Sequence, residues 1–130
     1  MRIGTLAFRL MLCVGWAVLL FVSIHAVKAM GMGAAGAVFI GDFAHPWRAQ
    51  FNTDLSLYLL LTAAWMVYRS RNWAIGLVWA LLAVNLGSLV TLAYLLVASI
   101  HARGDMRVVL LGHRANISAA TQPPPLPKNR

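Results

Sequence analysis

The chain has 130 residues, 61% of them hydrophobic and 11% charged, with a mean hydropathy of +0.74 and a formal net charge of +8. Soluble domains carry roughly a quarter charged residues, so composition excludes the ordinary water-soluble class, and the length holds one compact unit rather than two. The positive charge does not read as a nucleic-acid surface. Arg9, Lys28, Arg48, Arg69, Arg71, Arg103 and Arg107 stand at the edges of apolar runs, where membrane-flanking charge sits.

The first apolar run, Leu10 to Val27, is eighteen residues long, enough for one membrane span. It predicts a helix over about 8–28. A cleaved signal peptide competes with this reading, since Val27-Lys28-Ala29 suits a peptidase and Arg2 and Arg9 supply a basic start. The lysine and the length of the run favour an uncleaved helix. Cys13, the one cysteine, excludes an internal disulfide or a multi-cysteine metal site and reads as a small hydrophobe.

The segment 29–43 is rich in glycine and alanine. It reads equally as a re-entrant segment, an interfacial helix or a weak fourth span. Next, Leu55 to Tyr68 is too short for a span by itself. Proline is favoured in the first helical turn, so a helix from Pro46 to Arg69 is predicted, roughly 34 Å long at 1.5 Å per residue. That places Asp54 about 12 Å beyond the helix start. An ionisable residue at such a depth is expensive and normally has a partner; a shorter helix capped at the surface by Asn52, Thr53 or Asp54 is the alternative.

Trp73 to Ile100 is an apolar run of 28 residues, about 42 Å as one helix, which must tilt or project from a ~30 Å hydrocarbon core. The expected fold is therefore an all-α integral membrane bundle with three transmembrane helices, within a domain spanning 1–105. A basic juxtamembrane segment (106–118) and a proline-rich, disordered tail (119–130) follow. With three spans, Arg2, Arg9, Arg69 and Arg71 share one side and Lys28, Arg48, Arg103, Arg107 and Arg114 the other, which sets no orientation.

On a helical wheel, Tyr58, Thr62, Trp65 and Arg69 all fall within about 80° of Asp54, so this stripe is expected to face the bundle. In the third helix, Gly76, Ala80, Ala83 and Gly87 form a small-residue seam suited to close helix packing. Folding the second and third helices about Arg71 brings Asp54 level with Ser88 and within a turn of Thr91, and Tyr58 level with Asn85. His25 approaches from the first helix. The candidate site is this intramembrane polar cluster, His25, Asp54, Tyr58, Asn85, Ser88 and Thr91, whose hydroxyls and amides can donate to a buried carboxylate. A plain helix clamp is the competing reading. If the cluster is buried, Asp54→Leu weakens helix packing and Asp54→Asn does not.

Other motifs carry no chemistry. Gly31-Met32-Gly33-Ala34-Ala35-Gly36 spells a dinucleotide fingerprint but lacks the βαβ context. Arg103-Gly104-Asp105, the Asn116-Ile117-Ser118 sequon and the Pro124/Pro127 pair are weak. The chain has no glutamate, and His25, His45, His101 and His113 are too scattered for a metal or haem. No catalytic residues, metal or cofactor are expected.

From His45 to Tyr94, the ordered set Pro46-Trp47, Asp54, Trp65 with Tyr68, Trp79, Gly87-Ser88, Thr91 and Tyr94 resembles a family of small multi-pass membrane proteins of unknown function found in bacteria and plants. The resemblance implies a helical membrane architecture and no particular reaction. More distantly, the aspartate and tryptophan pattern is similar to small membrane proteins associated with plant carotenoid synthesis. The leading expectation is a non-enzymatic accessory or helix-packing subunit in the lipid bilayer (the inner membrane in a bacterium), meeting a second copy or a partner membrane protein through the seam. A proton-coupled or transport component using Asp54 in an oligomer, and an enzyme acting on a lipophilic, isoprenoid-like substrate, are the alternatives.

Overall fold

A computed structural model describes residues 3–115. Among them lie six α-helices and no strand: α1 (Ile3–Met30), α2 (Ala34–Gly41), α3 (Pro46–Arg69), α4 (Trp73–Leu86), α5 (Ser88–His101) and α6 (Met106–Leu111). Of these, α1 is both long and apolar enough to cross a membrane. The proline-rich tail expected over 119–130 lies outside the described residues, as do the sequon and the Pro124/Pro127 pair.

After α1, Gly31 turns the chain with a φ of +81°, in the left-handed region that glycine adopts without penalty. The segment then forms the eight-residue α2, about 12 Å long, which cannot span a bilayer. A single 3₁₀ turn (Asp42–Ala44) leads into α3, whose first turn holds Pro46. Proline has no N–H to lose there. Asp42 pairs with Arg48 at 2.9 Å, and Asn52 Nδ2 donates to the Phe39 carbonyl at 3.1 Å, tying the α2 segment to the start of α3.

The expected helix over 73–100 is not continuous. Gly87 has φ +59° and ψ −138°, and it divides the run into two fourteen-residue helices. Trp79 and Tyr94 have ring centroids 5.4 Å apart; on one straight helix their backbones would be about 22 Å apart. The chain therefore reverses at Gly87, and α4 and α5 form a hairpin, each arm about 21 Å long. Expecting Gly87 in the packing seam is thereby corrected: a Cβ at that position would meet nothing within 4 Å. It is the corner of the hairpin.

α4 packs chiefly on α3, and α5 on α1. The α3–α4 approach is close because both faces carry small residues. Gly76, Ala80 and Ala83 are buried, and a Cβ on Gly76 would lie 2.9 Å from Val67 Cα. On α3 the inward side runs through Asn52, Ser56, Ala63, Met66 and Ser70. Ser56 and Ser70 donate to the carbonyls of Asn52 and Met66 in their own helix (2.7 and 2.8 Å), so they pack as small, satisfied side chains. α1 runs antiparallel to α5. Arg9 donates from Nε to Ser99 Oγ at 3.0 Å and from Nη2 to Ser99 O at 2.6 Å, and Trp16 Nε1 donates to Leu89 O at 3.1 Å.

The short α6 is docked on the end of α3. His113 Nδ1 and Arg114 Nε bond the Arg69 and Tyr68 carbonyls at 3.1 and 3.0 Å. These are among the last carbonyls of α3, which have no partner within the helix. Trp65 Nε1 donates to Leu110 O at 3.0 Å.

Candidate functional site

The hairpin gathers charge. Because α5 returns to the level where α4 began, Arg103, Arg107 and Arg114 join Arg9, Arg69 and Arg71 at one pole. The other pole, with α2 and the start of α3, holds Lys28 and Arg48. Among the described residues, six arginines stand at one pole against Lys28 and Arg48 at the other, where three crossings would divide them evenly.

The polar cluster built around Asp54 does not assemble. Asp54 and Tyr58 are exposed and line a shallow crevice with Leu57 and Leu61. Ser88 lies in a different crevice, against Ser23, Leu55 and Leu59. Thr91 Oγ1 and Asn85 Nδ2 bond the carbonyls of Gly87 and Leu81 within their own turns, and His25 is exposed on α1. Among the described residues no side-chain hydrogen bond joins any two of the six. Ser88 does reach the level of Asp54, but α3 turns Leu55 and Leu59 toward it. The reason lies in the α3–α4 contact: Asn52, Ser56 and Ala63 lie roughly opposite Asp54 on the helical wheel, and that side fits the Gly76–Ala80–Ala83 seam. The stripe of polar-tipped residues is split as a result. Its first half, Asp54 and Tyr58, faces away from the bundle; its second half, Trp65 and Arg69, is covered by α5 and α6.

That covered half borders a cavity of about 670 Å³ between α1, α4 and α5. It is lined mainly by apolar side chains, among them Trp16, Leu20, Leu89 and Val97, with Tyr94, Arg69 and His101 as polar groups. Midway along the hairpin arms Trp79 and Tyr94 bridge them, while Trp65 meets Tyr94 edge-on with centroids 6.0 Å apart. The Arg69 guanidinium lies 5.4 Å from the Trp65 centroid and 5.0 Å from that of Tyr94. Such stacking holds a cation in place without neutralising it. Arg69 Nε is buried and has no hydrogen-bond partner. Among the described residues the one ion pair is Arg48–Asp42, at the other pole.

The sequence places Arg69 on the bundle-facing stripe with Trp65, but sequence reasoning counts it among the membrane-flanking charges and leaves it out of the candidate site. The available signal was Trp65 one turn before Arg69, together with the scarcity of acidic partners. Among the described residues no group of three or more histidine, cysteine or acidic side chains is arranged to hold a metal.

No curated protein and no solved structure matches the chain. A family match does exist, and it extends well beyond the 45–94 stretch that carried the resemblance, covering α1 through the docked α6. With residues 3–115 matched, the chain belongs to DUF1475, a family of proteins of unknown function.

Proposed function

We propose that this chain is a small integral membrane protein acting as a non-enzymatic accessory subunit, with its basic pole in the cytoplasm. In this reading α1 and α3 cross the bilayer, while α4 and α5 enter from the cytoplasmic side as a half-depth helical hairpin. The carrying observation is the reversal at Gly87, which puts six arginines at one pole against Lys28 and Arg48 at the other. Positive charge near helix ends is retained in the cytoplasm. An arm of about 21 Å falls short of a ~30 Å hydrocarbon core, and a hairpin at membrane depth is tolerated where protein covers its turn. Here Leu19, Ser23, Leu55 and Leu59 border Gly87 and Ser88 on one side, lining a crevice with them. Most large apolar side chains of α1 are exposed, Leu10, Phe21 and Val22 among them, as suits a surface that meets lipid or another membrane helix. Since Gly76, Ala80 and Ala83 are packed inside the chain, a partner helix would use that outer face.

Cysteine accessibility tests the arrangement. In a Cys13→Ser background, His45→Cys, Arg71→Cys and Arg107→Cys are exposed in turn to a membrane-impermeant maleimide on intact cells. His45→Cys should label, while Arg71→Cys and Arg107→Cys should label only after lysis. Labelling of Arg107→Cys but not Arg71→Cys would mean that 73–100 crosses the bilayer, and recovery of the protein in the soluble fraction would refute membrane residence.

A further inference from the structure

We propose that the cavity between α1, α4 and α5 binds an amphipathic anion, a single hydrocarbon chain ending in a carboxylate or phosphate, with Arg69 receiving the headgroup. The site belongs to the folded chain and stands whichever way the helices lie in a bilayer.

Three observations converge. The first is the container: about 670 Å³, within the range of small-molecule sites, lined almost wholly by apolar side chains and open at one side. It follows α5 from His101 to Leu89, about 18 Å of helix, so it is elongated like an extended hydrocarbon chain. The second is the cation. Arg69 is stacked on Trp65 and Tyr94 and faces no carboxylate among the described residues, and its Nε is buried without a hydrogen bond. That nitrogen lies beside Gly112 and is closed to a ligand, so the headgroup would meet the Nη donors, which have no hydrogen-bond partner among the described residues. A guanidinium offers paired donors that match the geometry of a carboxylate or phosphate. The third is position. Arg69 and His101 belong to the basic pole, whereas Trp16, Leu20 and Leu89 lie toward the hairpin corner, so the charged and apolar ends of the ligand have separate places along one axis. His101 Nδ1 bonds the Val97 carbonyl at 2.9 Å, which fixes the ring beside that charged end.

A carboxylate and a phosphate share the chemistry that Arg69 recognises, and the source is decided by experiment. The full chain, purified in an uncharged detergent, is titrated with palmitate, hexadecyl phosphate, hexadecanol and inorganic phosphate. Binding is read by displacement of a fluorescent fatty acid. Palmitate or hexadecyl phosphate should displace the probe, the better of the two naming the headgroup, while hexadecanol should be at least about tenfold weaker. Inorganic phosphate should not compete. Arg69→Met should reduce the charged ligands to the level of hexadecanol, and Arg69→Lys, which keeps the charge but loses the fork, should fall between them. Ala93→Phe fills the cavity and leaves Arg69 in place, so it should abolish binding of all the chain-bearing ligands. Near-wild-type melting temperatures for Arg69→Lys and Ala93→Phe separate loss of the site from loss of the fold. Competition by inorganic phosphate at a concentration similar to that of the lipids would overturn the proposal. So would palmitate and hexadecyl phosphate affinities unchanged in both Arg69→Met and Ala93→Phe.

Discussion

Trp79 and Tyr94 face each other across the turn at Gly87, eight residues before it and seven after it, with their rings 5.4 Å apart. This contact joins the hairpin arms at their midpoints and makes Tyr94 the common neighbour of Trp79, Trp65 and Arg69. The corner conformation, the apolar cavity and the position of the arginine are thus mechanically linked. A change at one of them is felt at the others.

Gly87 should tolerate no side chain, although there is room for one. A Cβ added there would have nothing within 4 Å, so sterics against neighbours are irrelevant and the cost is conformational. A φ of +59° with ψ −138° lies where L-residues are strained. Gly87→Ala should destabilise the protein by about 1–3 kcal/mol, read as a lower melting temperature in detergent.

Gly112 presents the opposite case, because both space and conformation are restricted. Its φ is +58°, and a Cβ would sit 2.5 Å from the Arg69 carbonyl oxygen. Gly112→Ala should pull α6 away from α3 and free the His113 and Arg114 bonds to the last carbonyls of that helix. Faster tryptic cleavage at Arg107 and Arg114 would report it, with a stability loss of about 1–3 kcal/mol.

The contact between α1 and α5 rests on Arg9 and Ser99. Ser99 is fully buried, and both its hydroxyl and its carbonyl accept from the guanidinium. Ser99→Ala removes the hydroxyl that accepts from a charged donor, leaves the carbonyl bond in place, and should cost about 1.5 kcal/mol. Arg9→Met should cost more, and a double-mutant cycle measured by thermal unfolding should return a coupling well above zero.

How much of this was legible beforehand depends on whether the signal was local. Pro46 marks a helix start by its own covalent geometry, and the Gly76–Ala80–Ala83 spacing shows a close-packed side without reference to a neighbour. The hairpin was hidden because its corner, Leu86-Gly87-Ser88-Leu89, is apolar and helix-compatible. A turn exposed to water is marked by proline, asparagine or aspartate, but this corner shares an apolar crevice with Leu19, Leu55 and Leu59 and carries no such residue. Arg69 was hidden for a different reason. Periodicity separates it from Arg71 and sets it on the inward stripe with Trp65, but the second ring, Tyr94, comes from α5, a long-range relationship that no periodicity carries.

Asp54 supplies the most discriminating substitution. A wheel centred on it predicts a buried carboxylate whose loss loosens the bundle. The fold instead turns it outward with Tyr58, and among the described residues its side chain has no hydrogen bond or ion pair. Exposed positions without partners rarely change stability by more than about 0.5 kcal/mol. Asp54→Leu should therefore leave the melting temperature in detergent where it was. If α3 crosses the bilayer, the same change removes an ionisable group from the lipid-facing side, a group whose presence costs up to about 2.5–3.5 kcal/mol at the centre of a span. Membrane integration, measured as the fraction resisting alkaline extraction, should rise or stay the same. A drop of several degrees in the melting temperature would instead place Asp54 against a neighbour, and the side of α3 that faces α4 would have to be redrawn.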